Sequence, residues 1–141
     1  MTYTQWFEVH GNKHHELTQK LIQGGLNQGQ IIKYFTFDNM VLNEPDFCEL
    51  YKTNTKCHDI DELNCYLCAC PYFRFNENAK EENGKTVHSH CSIDAKDGAL
   101  FEHENNVHHD CSGCLVPHHE AYIQKNFSTN WFEVMKECEE K

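Results

Sequence analysis

Two pairs of cysteines in this 141-residue chain stand at the spacing that grips a metal ion: Cys65 with Cys68, and Cys111 with Cys114. The turn inside a Cys-x2-Cys knuckle aims both sulfurs at one cation. The first knuckle lies in the run Cys65-Tyr66-Leu67-Cys68-Ala69-Cys70-Pro71, and Pro117-His118-His119 follows the second. Cys48 and the pair Cys57-His58 lie upstream, Cys91 lies between the knuckles, and His118 comes four residues after Cys114. Eight thiols and two imidazoles thus offer ten donors. Four close a structural zinc site, so two separate sites fit, as does a cluster sharing bridging thiolates. A cubane iron–sulfur cluster also takes four thiolates, and a Cys-Pro ending is familiar from ferredoxins. Cys70 constrains the count. In an extended stretch it points the same way as Cys68 but ~6–7 Å along. Two sulfurs that each bind one zinc at ~2.3 Å cannot be that far apart. Cys70 therefore turns back at Pro71 or serves a second metal.

The other chemistry-bearing residues have plainer readings beside the sharp ones. Cys138 falls on the apolar side of a C-terminal helix and reads as a small core hydrophobe. His10 and His14 are one helical turn apart, but a helix starting at Asn12 leaves His10 outside it, so exposed imidazoles are expected. His88 and His90 alternate beside Cys91, and one of them is a candidate ligand. His103, His108, His109 and Asp110 sit around the acidic run 102–106, which reads as a solvated loop. Asp110 is also a candidate to hold a ligand histidine from behind. His119 reads as a bystander to His118. A nucleophilic pair drawn from His109 and Cys111 competes poorly with metal for the same thiolate.

Composition bounds the rest. Leu, Ile, Val and Phe together make up about 21% of the chain and the formal net charge is −10, near the border with disordered sequences. Six Tyr, nine Phe and two Trp argue for a folded protein stapled by metal in its middle. No apolar run is long enough for a membrane span, and the first residues lack the basic and apolar regions of a signal peptide. The expected setting is a reducing cytoplasm, where thiols serve as ligands and not as disulfides. Lys and Arg total 12 and are scattered, so no basic stripe reads nucleic acid. Nothing matches His-Glu-x-x-His, a phosphate loop or a dinucleotide fingerprint.

Three stretches must position the ligands within a single domain. Residues 1–45 hold no cysteine and read as a helical N-terminal extension. Asn12 is the expected cap of a first helix through Leu17, Leu21 and Ile22, closed by Gly24-Gly25. Asn27-Gln28-Gly29-Gln30 reads as a capping box for a second helix bearing Ile31, Ile32 and Phe35. Asn43-Glu44-Pro45 suggests a further start. Residues 46–118 form the cysteine-rich metal-binding core. Within it Thr86-Val87-His88-Ser89-His90-Cys91-Ser92-Ile93 reads as a short strand, and residues 76–85 as an exposed loop. Residues 119–141 return to helix, with Ser128 capping a face of Trp131, Val134, Met135 and Cys138. The run 4–9 echoes the run 129–134; coincidence is the plainer reading, and two aromatic clamps on one core the sharper one. The expected fold is small α+β: an irregular metal-stapled core, helices at both ends and one or two short strands.

Phe47-Cys48-Glu49, Cys57-His58, Leu63-Asn64-Cys65-Tyr66-Leu67-Cys68-Ala69-Cys70-Pro71 and Asp110-Cys111-Ser112-Gly113-Cys114-Leu115-Val116-Pro117-His118 together resemble the cysteine-rich small domain family, a zinc-finger-like group, across roughly residues 46–120. Members stand alone or are fused behind threonine-phosphate decarboxylases of cobalamin biosynthesis. The resemblance implies metal binding and a link to corrinoid or other metal-cofactor metabolism. It also implies Cys48, Cys57, His58, Cys65, Cys68, Cys70, Cys91, Cys111, Cys114 and His118 as ligands. The abundance of histidine points to zinc, two or more ions per chain, with an iron–sulfur cluster as the alternative. The leading expectation is a structural or adaptor metalloprotein with a protein partner, as a monomer or small homo-oligomer. The alternatives are an iron–sulfur redox or metal-handling accessory protein and a metalloenzyme with an open coordination position.

Overall fold

The computed structural model describes residues 2–140, apart from the side chain at position 77. Its first helix starts at a capping box. The Thr2 hydroxyl accepts the Gln5 N–H at 3.1 Å, and the Gln5 side-chain oxygen accepts the Thr2 N–H at 2.9 Å. These bonds satisfy two donors that a helix start leaves open. Helix α1 runs Tyr3–Gln23 and ends at Gly24, with Gly25 at φ 86° completing the exit. The expected start at Asn12 is therefore corrected: the helix is unbroken through His10 and His14. Both imidazoles are buried, on a face shared with Leu17 and Leu21. They were expected exposed because a helix starting at Asn12 would have left His10 outside it. In three dimensions aromatic rings enclose both.

Helix α2, Gln28–Tyr34, has the capping box expected of Asn27 and Gln30. Helix α3 spans Phe37–Asn43, so Asn43-Glu44-Pro45 ends a helix where a start was expected. A 3-10 helix, Glu49–Thr53, follows. At the other end of the chain, helix α4 is Glu120–Lys125 and α5 is the single turn Trp131–Val134. Asn130, not Ser128, caps α5 by accepting the Phe132 N–H at 3.1 Å. Cys138 lies beyond that helix and is buried, as expected for a core residue.

These helices enclose an aromatic core. Trp131 is fully buried, 4.9 Å from Phe7 and edge-on to His10 at 5.2 Å between ring centroids. Phe35 meets Tyr66 edge-on at 4.8 Å and His14 at 5.0 Å. Gly11 permits the close approach of α5, because a Cβ there would lie 2.2 Å from the Phe132 ring. The two echoing segments thus do meet in one core. Trp6, however, remains 39% exposed while Trp131 is enclosed.

A four-stranded mixed sheet, β1-β2-β4-β3, completes the fold. Its strands are β1 Phe73–Glu82, β2 Lys85–Cys91, β3 Ala99–His103 and β4 Asn106–Asp110. The hairpins β1–β2 and β3–β4 are antiparallel, and β2 pairs parallel with β4. One or two short strands were expected. Residues 76–85 and 102–110 had been read as loops because they are polar. Asn83-Gly84 (φ 52° and 79°) and Glu104-Asn105 (φ 50° and 67°) are the two-residue turns that join the hairpins. Positive φ at both central positions matches the twist of the flanking strands, and Asn-Gly is the strongest short hairpin signal a sequence carries. Tyr3 of α1 packs on Phe73 and Phe75 of β1, so the helical layer covers one end of the sheet. Phe75 also exchanges backbone hydrogen bonds with residues 138 and 140 at 2.8 Å. The fold is small mixed α+β with helices at both ends.

Candidate metal centre

The knuckle Cys65–Cys68 is pinned into the helical core before any cation is considered. The Cys65 N–H donates to the Phe35 carbonyl at 2.8 Å, and the Phe37 N–H donates to the Leu63 carbonyl at 2.8 Å. The buried Asn64 amide donates to the Ile32 carbonyl at 2.7 Å and accepts the Tyr66 N–H at 2.9 Å. The His14 ring donates from Nε2 to the Tyr66 carbonyl at 2.9 Å, and the Trp131 indole donates to the Cys68 carbonyl at 3.2 Å. Buried polar groups of this kind are costly to leave unpaired, so each bond fixes the loop's position.

Two residues past that knuckle the chain changes direction. Ala69 (φ 90°) and Cys70 (φ 61°) both occupy the left-handed region, which costs on the order of 1–3 kcal/mol per non-glycine residue. Pro71 follows, and Cys70 is carried away from Cys68 to the mouth of β1.

The eight central cysteines then fall into two quartets by which thiols act on which. Burial pushes the Cys65 thiol up to about 12, with further upward pressure from Cys57 and Cys48. Burial raises Cys68 as well, and Cys65, Cys57 and Cys48 add to it. Cys57 is raised by burial and by Cys48. On the other side, burial pushes Cys111 up to about 12, assisted by Cys70, Cys114 and Cys91. Cys70 is raised by burial, with Cys114 and Cys91 adding to it. By these influences Cys48, Cys57, Cys65 and Cys68 form one group and Cys70, Cys91, Cys111 and Cys114 the other, and Cys70 also raises Cys138. All nine cysteines are free thiols. Raised thiols hold their protons at neutral pH and are poor nucleophiles. A cation that binds them displaces those protons.

Each quartet borders a cavity. One of about 290 Å³ is lined by Cys48, Cys57, Cys65 and Cys68 together with His10 and Tyr51. The other, about 480 Å³, is lined by Cys70, Cys91, Cys111 and Cys114 with Cys138, and Cys57 and Cys68 border it as well; its opposite wall carries Tyr3, Trp6 and Phe7 of α1. Backbone amides support the sulfurs, as where the Ala95 N–H donates to the Cys91 Sγ at 3.5 Å.

Cys57, His58 and His118 sit in the wall between the cavities. Their ligand atoms lie within 4.8 Å of one another, the one such trio among the described residues. His58 Nε2 is 2.8 Å from the Cys111 carbonyl oxygen, which can only accept, so the neutral ring keeps its lone pair on Nδ1, 2.9 Å from the Cys57 Sγ. His118 donates from Nδ1 to the Asn64 carbonyl at 2.9 Å, leaving the Nε2 lone pair free. Burial lowers His118 to about 4, which keeps it neutral. Carbonyls behind both rings fix the ligand-ready tautomers.

The remaining candidates lie elsewhere. His88 stacks on His108 at 4.5 Å, with its Nε2 2.9 Å from the Asn106 Oδ1. His90 is 3.6 Å from the Glu140 carboxylate. Asp110 accepts the Ser112 N–H at 2.9 Å and so shapes the second knuckle's turn. His10, Tyr51 and Tyr122 were not read as site residues. His10 Nε2 is buried with no hydrogen-bond partner, while Tyr51 Oη faces the Cys65 thiol and Tyr122 Oη the Tyr72 hydroxyl. Tyr51 is raised chiefly by burial and then by Cys65; Tyr122 is raised by burial, by Tyr72 and by Cys70. The one signal available in sequence was the spacing of His10 and His14 on a single helix face.

No helix among the described residues is long and apolar enough to cross a membrane. No family model matches the chain, and neither does any curated protein or any solved structure.

Proposed function

We propose that this chain is a metal-binding protein with two all-cysteine centres, and that each holds an iron–sulfur cluster. Cys48, Cys57, Cys65 and Cys68 would hold the first, and Cys70, Cys91, Cys111 and Cys114 the second. The observation that carries this reading is that eight free thiols line two adjoining cavities, Cys48, Cys57, Cys65 and Cys68 the one and Cys70, Cys91, Cys111 and Cys114 the other, with Cys57 and Cys68 bordering both. Four thiolates are the ligand set of a cubane cluster and equally of a zinc site. The expectation of zinc rested on abundant histidine, and neither quartet contains one.

When bound, such clusters supply one-electron exchange, at potentials set by hydrogen bonds to the sulfurs and by exposure. The chain's own residues join the two quartets by short routes. Cys68-Ala69-Cys70 is one covalent path. His58 is another, reaching from the Cys57 thiol to the Cys111 carbonyl. This arrangement supports a redox or metal-handling accessory role over a purely structural adaptor. A place in corrinoid or other metal-cofactor assembly follows from the motif resemblance alone.

A second reading has its own observation. Cys57, His58 and His118 are the tightest donor trio and border the larger cavity. One zinc there would keep a fourth position open, as catalytic zinc sites do. Anaerobic purification followed by iron, acid-labile sulfide and zinc analysis separates the readings. The expected result is a brown protein with about eight iron and eight sulfide per chain. One zinc per chain, without sulfide and lost in His118→Ala, establishes the second reading. Two zinc per chain without sulfide leaves the structural adaptor.

A further inference from the structure

α1 lies outside the cysteine-rich region, yet it brings a side chain to the first quartet. His10 and His14 stand one turn apart on the same face, and both are buried. Their polar atoms have opposite fates. His14 is satisfied on both sides, by the Tyr66 carbonyl at 2.9 Å and the Thr18 hydroxyl at 3.3 Å. His10 Nε2 has no partner in the protein. The ring is 6% exposed and held on three sides: stacked on Trp6 at 4.7 Å and 8°, edge-on to Phe47 at 5.0 Å, and edge-on to Trp131 at 5.2 Å. Its open side borders the 290 Å³ cavity with Cys48, Cys57, Cys65 and Cys68.

A buried, unpaired ring nitrogen is a cost that folded proteins seldom carry, and an unseen ion or group is a standard reason for one. We infer that His10 is a positioning residue for the first metal centre, its Nε2–H donating a hydrogen bond to a sulfur of that centre. A neutral imidazole carries one N–H, and placing it on Nε2 points it at the thiol-lined space. Hydrogen bonds to cluster sulfurs stabilise the more negative, reduced state and so raise the potential. Groups that orient ligands from behind typically change metal affinity 10–100-fold. The inference rests on the proposal that the first quartet binds metal, and its test is arranged so that the two fail separately.

The test compares wild type with His10→Phe, which keeps the stacking and removes the nitrogen, and with His10→Gln, which restores an N–H donor. Metal and sulfide contents are measured first; an empty protein sinks the inference together with the reading it rests on. In iron-loaded protein, redox titration followed by electron paramagnetic resonance should show one centre's midpoint potential lowered in His10→Phe and partly recovered in His10→Gln. The other centre should not move. Should the protein carry zinc instead, transfer to a colorimetric chelator replaces the potential: one zinc should be held about tenfold more weakly in His10→Phe. Unchanged potentials in the iron protein, or unchanged transfer in the zinc protein, overturn the assignment. So does an equal change at both centres.

Discussion

Around Trp131, Phe35, Ile32, Met40, Tyr66, Leu67, Ile123 and Met135 are all at 0% exposure. In the sheet the situation is reversed. All of β3 is exposed, including Leu100 at 69% and Phe101 at 58%, and Val107 is the one buried apolar residue of β2–β4. The helical half excludes water from aromatic and aliphatic surface, worth ~25 cal/mol per Å². The sheet half has little such surface to remove. What it has is three thiols at one end: Cys70 just before β1, Cys91 at the end of β2, and Cys111 just past β4. Cys114 joins them from the second knuckle. The two quartets therefore stand in unlike surroundings. The first is set in a scaffold that already has reasons to fold, whereas the second ties together strands that have few others.

The largest effect should come from stripping metal. A structural metal contributes on the order of 10 kcal/mol, and hydrogen exchange should show the amides of β2, β3 and β4 losing protection while those of α1 and α2 keep it. Uniform loss in both halves would break the comparison. Next is Trp131→Ala, which should cost about 3–5 kcal/mol in urea denaturation and destabilise the helical half first. A sheet lost before the helices would reverse the assignment of the core.

The third prediction is a pH dependence to which the helical half contributes through His14. Burial lowers His14 to about 3 from its ordinary 6.5. The unfolded chain therefore binds a proton that the folded chain refuses, and stability falls as pH drops below 6.5 towards 3. At pH 5 this histidine alone should cost about 2 kcal/mol relative to pH 8. His14→Phe should reduce the slope between pH 6.5 and 4, measured by denaturant midpoint across pH, with His10 and His118, each lowered to about 4 by burial, supplying the remainder. An unchanged slope would mean the ring is not buried neutral. The smallest effect is expected at Cys138. Its Sγ is 3.5 Å from the Cys70 carbonyl and belongs to neither quartet, so Cys138→Ser should cost about 1 kcal/mol and leave the metal content intact. Loss of a metal in that variant would move Cys138 into the second centre.

Much of the helical layer was legible because its signals are local. The Asn27–Gln30 capping box and the Gly24-Gly25 stop each act over a few residues, and both stand as read. The Thr2–Gln5 box and the Asn83-Gly84 turn are equally local signals. The stretch 76–85 resembles a loop in sequence because a strand with one solvated face is polar by nature. His10 and His14 were out of reach of a periodicity argument. What buries them is Phe47, Tyr66 and Trp131, which lie far along the chain.

The amino-acid sequence alone determined the donor types, the two knuckles and the acidic, cysteine-rich character of the middle, because a Cys-x2-Cys turn closes within four residues. It also posed the choice at Cys70 without resolving it. Only the tertiary structure gathered eight thiols around two adjoining cavities and buried His10 beside one of them. That gathering depends on left-handed backbone at Ala69 and Cys70 and on contacts such as that of His14 with the Tyr66 carbonyl, 52 positions away. Distances of that kind are set by how a core packs, and no short stretch of sequence encodes them.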